Sequence, residues 1–316
     1  IASSIPQALA SGGGFFVAGL LYDEVAPRPV TNPAEPAAVS ARISGTAWRP
    51  MAGEPINEEE ALQRLRQNED PSMQYYGAWW LGRNRSQHPE AVPLLIEALK
   101  QRRPRDIGAG VEENAVARNA ARALGKLAPA AHAAVPELLA ALADADDGLR
   151  EAAARALGDL RAAEAVEPIC ARLAGGPAVA GARQTTCPRL VEPCEALLEA
   201  LGDIGIAEPA VLAVIEPFNR HEWPLIRSAA ARALLQLSGE ARWAEPLLGL
   251  LSDGQLQVRR AALMDLGAAG WRPAASAISA TLAENSLKLI ALRGLVENGS
   301  GEPGDEALLA AMDALL

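Results

Sequence analysis

The chain has 316 residues, room for two average domains or one elongated array. Half of them are apolar and only 4% aromatic, which excludes global disorder and points to a core of Ala, Leu and Val. With 29 basic against 39 acidic residues the net charge is −10, arguing against a nucleic-acid binder. Three cysteines without paired spacing and three scattered histidines argue against a disulfide framework and a protein zinc site.

From the N-terminus, the apolar stretch Gly14–Tyr22 is too short to span a membrane and has no basic residue before it. Residues 27–50 carry five prolines and read as linker or disorder. Met51 opens the first helical stretch and is expected to be the natural start. Residues 1–50 are then a leader, and residues 51–316 a single repeat domain.

From residue 58 the chain repeats itself, and the recurring phrase is a helix ending Ala-Leu-Gly or similar. Its last residues are Gly82, Gly125, Gly158, Gly202, Leu235, Gly267 and Val296, at steps of 43, 33, 44, 33, 32 and 29. The two long steps hold insertions at 102–113 and 175–187, rich in Gly, Pro and Arg; without them the unit is 31–33 residues. Each unit opens with a short helix such as Ala133–Leu142. An acidic turn follows, Asp144–Asp147, with an aspartate placed to cap the second helix, Leu149–Gly158. This grammar predicts an all-α fold, an α-solenoid of HEAT-like repeats with about seven helix pairs. A final helix over 303–316 is expected to cap the array.

Stacking the seven second helices exposes columns. The residue before each anchor is always Leu, a core position. Positions seven and three before the anchor share a face, four residues apart. They read Tyr75/Trp79, Arg118/Arg122, Glu151/Arg155, Glu195/Glu199, Ser228/Arg232, Arg260/Met264 and Leu289/Arg293. Being mostly charged, this face is expected to be solvent-exposed and to line the concave groove.

Three features stand out. Tyr75, Tyr76, Trp79 and Trp80 put four of the twelve aromatics within six residues. They form either an end-cap or an apolar wall for a planar ligand or a partner helix. Arg118, Arg122, Arg155, Arg232, Arg260 and Arg293 form a basic ladder. It either clamps carboxylates or pairs with its own glutamates. Asn119 and Asp265 replace Ala in a small-residue column. Asp265 either bonds Arg232 or a backbone N–H, or accepts from a ligand's N–H groups. Cys194 reads as a buried thiol, and Cys187, beside Arg183 and Arg189, as an exposed and somewhat activated one.

The segment Tyr75-Tyr-Gly-Ala-Trp-Trp-Leu-Gly82 resembles the YYAAWWLG signature of E/F-type phycobilin lyases, on the side of the E (alpha) subunit. The likeness continues in Arg118–Leu127, Leu190–Gly202, Ala229–Leu234, Leu256–Gly267 and Glu284–Leu295, six phrases in order over residues 56–298. Gln74 and Ala117 stand where the pattern has Arg, and Cys194 where it has Tyr. The resemblance implies a heterodimer with an F-type subunit. That heterodimer attaches an open-chain tetrapyrrole, phycocyanobilin, by a thioether bond to a cysteine of an apo-phycocyanin α subunit. It implies no cofactor, since the bilin is substrate and neither metal nor nucleotide is required, and a cytoplasmic location; the acidic charge and the short apolar runs add the expectation of no nucleic acid and no membrane insertion. The aromatic wall would pack the rings, the arginines hold the propionates, and Asp265 accept from pyrrole nitrogens. A non-catalytic bilin chaperone and an isomerising lyase are the rival expectations.

Overall fold

The computed structural model describes residues 56–67, 69–102, 114–185, 189–299 and 305–316. The leader, Met51, Cys187 and nearly all of the first insertion lie outside the described residues. Within them the chain forms seven helix pairs. These are α1 (Glu58–Arg66) with α2 (Pro71–Arg83), α3 (Ala91–Lys100) with α4 (Ala115–Lys126), and α5 (Val135–Leu142) with α6 (Asp147–Asp159). Next come α7 (Val166–Leu173) with α9 (Cys194–Ile204), and α10 (Pro209–Ile215) with α11 (Pro224–Ser238). The last two are α12 (Ala244–Leu250) with α13 (Leu256–Ala269), and α14 (Ala275–Ala280) with α15 (Asn285–Asn298). The terminal helix, expected over 303–316, is described as α16 (Asp305–Asp313) and ends three residues before the expected 316. The second insertion holds a one-turn helix, α8 (Gly176–Val179), and an isolated antiparallel bridge between Arg183 and Leu190. Among the described residues no helix is long and apolar enough to cross a membrane.

Local sequence sets the boundaries. The first helix starts at Glu58, behind Asn57, whose side chain accepts from Glu60 N. Asp70 caps α2 ahead of Pro71, a residue suited to a first helical turn. In the acidic turn the cap is Asp146, whose Oδ1 accepts from Leu149 N at 3.1 Å. Helices α9, α11 and α13 stop at Gly205, Gly239 and Gly270, with φ of +83°, +68° and +67°. A side chain at those positions would be strained.

The Ala-Leu-Gly phrase has a packing cause. Leu81, Leu124, Leu157, Leu201, Leu234, Leu266 and Leu295 are all buried in the hydrophobic core. The glycine faces the next second helix. A methyl at Gly82, Gly125, Gly158 or Gly202 would fall 2.8–3.0 Å from Cα of Ala123, Ala156, Ala200 or Ala233. Consecutive second helices therefore lie backbone against backbone. One junction differs: α11 ends in Leu235 instead of Gly, and the facing position of α13 is Asp265 instead of Ala. There polar side chains fill the seam.

Candidate functional site

The two rows predicted on the second helices continue into a third, one turn further on: Arg83, Lys126, Asp159, Asp203, Gln236, Ala268 and Glu297. The same four-residue spacing points to this row, because an aligned face does not stop at two positions. Its side chains lie over the glycine seam of the preceding helix. A methyl at Gly125 would come within 2.6 Å of Asp159 Oδ2, and one at Gly82 within 3.7 Å of Lys126 Cδ. Together the three rows form a stripe whose side chains reach across to neighbouring second helices.

The N-terminal part of the stripe is aromatic and then basic. Tyr75 stands edge-on to Tyr76, ring centroids 5.9 Å apart, with Tyr76 exposed. Trp79 is half-buried, with the Arg83 guanidinium 5.6 Å from its ring centre. Trp80 instead packs against the hydrophobic core. Tyr75, Tyr76 and Trp79 are thus left at least partly exposed, with Trp80 anchoring the helix behind them. Asn119, buried, donates from Nδ2 to the carbonyl of Tyr75 at 2.9 Å. It ties α4 to the aromatic helix. On the adjoining helix, Arg118 Nε lies 3.5 Å from Asp146 Oδ2, the cap of α6. Arg122 is exposed and, among the described residues, makes neither an ion pair nor a hydrogen bond.

The middle of the stripe corrects the expectation of a uniformly exposed face. Arg155 pairs with Glu151, Glu195 and Glu199. Arg232 is 4% exposed and pairs with Asp203 at 2.6 Å, Asp265 at 3.5 Å and Glu199 at 3.6 Å. Burial works against the charge of Arg232, but those carboxylates outweigh it and hold its pKa above the usual value. Ser228 donates to Asp265, which is buried in the α11–α13 seam. Of the two roles open to Asp265, the pairing with Arg232 is the one found. Burial raises the pKa of this carboxyl, with Arg232 pulling the other way. Charges of opposite sign on adjacent helices are close enough to meet, so the centre closes on itself and takes Arg232 and Asp265 out of the accessible face. Further along, Arg260 pairs with Glu284 and Arg293 with Glu297, both in exposed positions. The hydrogen bond from Arg260 pulls Glu284 down to about 2.

Asp159 stands apart from this network. No hydrogen bond or ion pair engages it among the described residues. Burial, aided by the like charge of Asp203, pushes its carboxyl up to about 7. Cys194 is buried, and burial pushes its thiol up to about 12, so it is not a nucleophile near neutral pH.

Comparison with known proteins bears on what such a stripe serves. Residues 108–185 match the HEAT repeat family, and residues 73–101 the PBS lyase HEAT-like repeat. The bilin biosynthesis protein RpcE of Synechococcus sp. (strain WH8020) is 49% identical over 262 residues, 83% of this chain and 96% of that protein. The phycocyanobilin lyase subunit alpha of Picosynechococcus sp. (strain ATCC 27264 / PCC 7002 / PR-6) is 45% identical over 264 residues, covering 82% and 96%. Among solved structures, the complex of CpcE and CpcF of phycocyanin lyase from Nostoc sp. PCC7120 contains a chain matched with a TM-score of 0.76. That chain is 41% identical and covered over its whole length, against 86% of this one.

Proposed function

This chain belongs to the family of phycocyanobilin lyase alpha subunits, and from that premise we propose that it is the E-type half of a heterodimeric bilin lyase. With an F-type partner it binds phycocyanobilin and joins it through a thioether to a cysteine of an apo-phycocyanin α subunit. The observation that carries this reading is the end-to-end match to the chain from the solved complex, at 41% identity over 100% of its length. The reading needs no metal or nucleotide, because the bilin is substrate and the attacking thiol belongs to the acceptor protein. Its place is the cyanobacterial cytosol, where its protein substrate is assembled.

The stripe supports a specific placement of the bilin. Its conjugated rings lie on Tyr75, Tyr76 and Trp79, and Asn119 and Trp80 hold that wall in register. The propionates meet Arg122, with Arg118 beside it on the same helix. Arg155 and Arg260, already paired with carboxylates, shape the floor more than they bind. Held this way, the bilin meets the acceptor thiol in one orientation, which lowers the entropic part of the barrier and selects one stereochemical outcome.

Reconstitution tests the reading. The chain, an F-type partner, apo-phycocyanin α and phycocyanobilin are mixed, and colour surviving denaturation is measured. Covalent colour that depends on both subunits supports the lyase. Reversible binding without ligation supports the chaperone instead, and a blue-shifted adduct marks an isomerising enzyme.

A further inference from the structure

The centre of the stripe gathers six carboxyls, on Glu151, Asp159, Glu195, Glu199, Asp203 and Asp265, around the guanidinium groups of Arg155 and Arg232. Five of the six are engaged by an arginine. Asp159 alone is not, although it lies in the same row as Asp203 and one turn beyond Arg155. It is held over the glycine seam between α4 and α6, where Gly125 leaves room for its carboxyl and a methyl would not. Further along the row, Gln236 donates from Nε2 to Asp203 and to the carbonyl of Ala268. Its buried Oε1 receives no hydrogen bond among the described residues. The row thus presents acceptors without donors on both sides of Asp203, one helix along from the cation of Arg122. A molecule with carboxylates on one edge and N–H groups on the other, as an open-chain tetrapyrrole has, matches that polarity.

We propose that Asp159 is the acid–base residue of the ligation, an inference that rests on the lyase reading above. As the acceptor cysteine's sulfur bonds to the exocyclic carbon of the bilin, the exocyclic C=C π bond opens. Its electron pair takes a proton from the Asp159 carboxyl. The proton leaving the thiol then restores Asp159, so the net change is addition of S–H across C=C with no oxidant or reductant. The environment suits the task. Asp203 from α9 repels a charge on Asp159, while Arg155 on its own helix, Arg232 from α11 and Arg85 after α2 attract it. Lys126 from α4 stands in the same row. Burial decides the balance and raises the carboxyl to about 7, so that near neutral pH both its protonated and its ionised forms are populated, as a group that gives and regains a proton requires.

The test uses the reconstituted heterodimer with apo-phycocyanin α and phycocyanobilin, comparing wild type with Asp159→Asn and Asp159→Glu. Non-covalent bilin binding is read by absorption for each variant, and transfer rates are compared at saturating bilin. The Asp159→Asn transfer rate is expected to fall about 100-fold or more, the usual effect of removing a general acid. It should also lose the limb of the pH–rate profile near 7, while Asp159→Glu keeps the limb at reduced rate. A melting temperature for Asp159→Asn at or above wild type at pH 8 shows that the loss is not one of folding. Transfer by Asp159→Asn within threefold of wild type, or an unchanged pH limb, overturns the proposal. If wild type binds bilin but never ligates it, the lyase reading itself fails, and the acid–base role with it.

Discussion

Arg122 and Arg232 stand at the same place in the repeat, three residues before the anchor, and the fold treats them oppositely. Replace each with Gln. At Arg122 an exposed guanidinium is lost that no described carboxylate touches, so stability should change by no more than about 0.5 kcal/mol. At Arg232 the change strips the cation from three carboxylates lying 2.6–3.6 Å away. Glu199 keeps Arg155 and Asp203 keeps Gln236, but Asp265 is left in the seam with only Ser228. Breaking a buried pair from one side costs about 3–5 kcal/mol. Because Asp265 can escape by taking a proton, the lower end applies, about 3 kcal/mol at pH 8 and less at pH 5. For an array of this size, that lowers the melting temperature by about 6–12 °C. Urea and thermal melts of both variants, alone and at the two pH values, give the comparison. Bilin affinity should move the other way, falling for Arg122→Gln. If Arg232→Gln melts within 2 °C of Arg122→Gln at pH 8, the closed ion network is not stabilising and the account of the stripe's centre is wrong.

Other outcomes follow from the same geometry. Trp79→Ala should cost about 1 kcal/mol, the scale of a partly exposed cation–π contact with Arg83, and still lower bilin transfer severalfold. Leu81→Ala, fully buried, should cost about 2–5 kcal/mol; equal urea midpoints for the two would make Trp79 a structural cap. Asp159 binds its proton more tightly folded than unfolded, so its contribution to stability is full at low pH. That contribution drains away as pH rises from the ordinary carboxylate range to about 7. Asp159→Asn should flatten that slope in denaturant titrations between pH 5 and 8, and an unaltered slope would show that the carboxyl is ordinary. Cys194 should react with a thiol reagent at pH 8 no faster than the protein opens, and rapid labelling at Cys194 would contradict its burial.

The repeat, its length, the Leu column and the seven pairs were all legible in the chain, because each is a local regularity repeated in register. So was the placement of an aspartate cap at the acidic turn, although which aspartate served, Asp146, depended on the helix's own first turn. The aromatic run and the arginines were visible as residue types. Their fates were not. Whether an arginine at one column has no partner among the described residues, as Arg122, or is enclosed, as Arg232, depends on what the second helices on either side carry at the facing rows. For Arg232 that is a relation between residues 29–33 positions apart. The seam that encloses Asp265 exists because Leu235 replaces a glycine, and its consequence appears only when α11 and α13 are laid side by side. Asn119 is an Ala-column exception in the sequence and a donor to the carbonyl of Tyr75 only in three dimensions. Periodicity tells which face a side chain occupies. Burial and partners, which set charge state and availability, belong to the stacking of one repeat on the next.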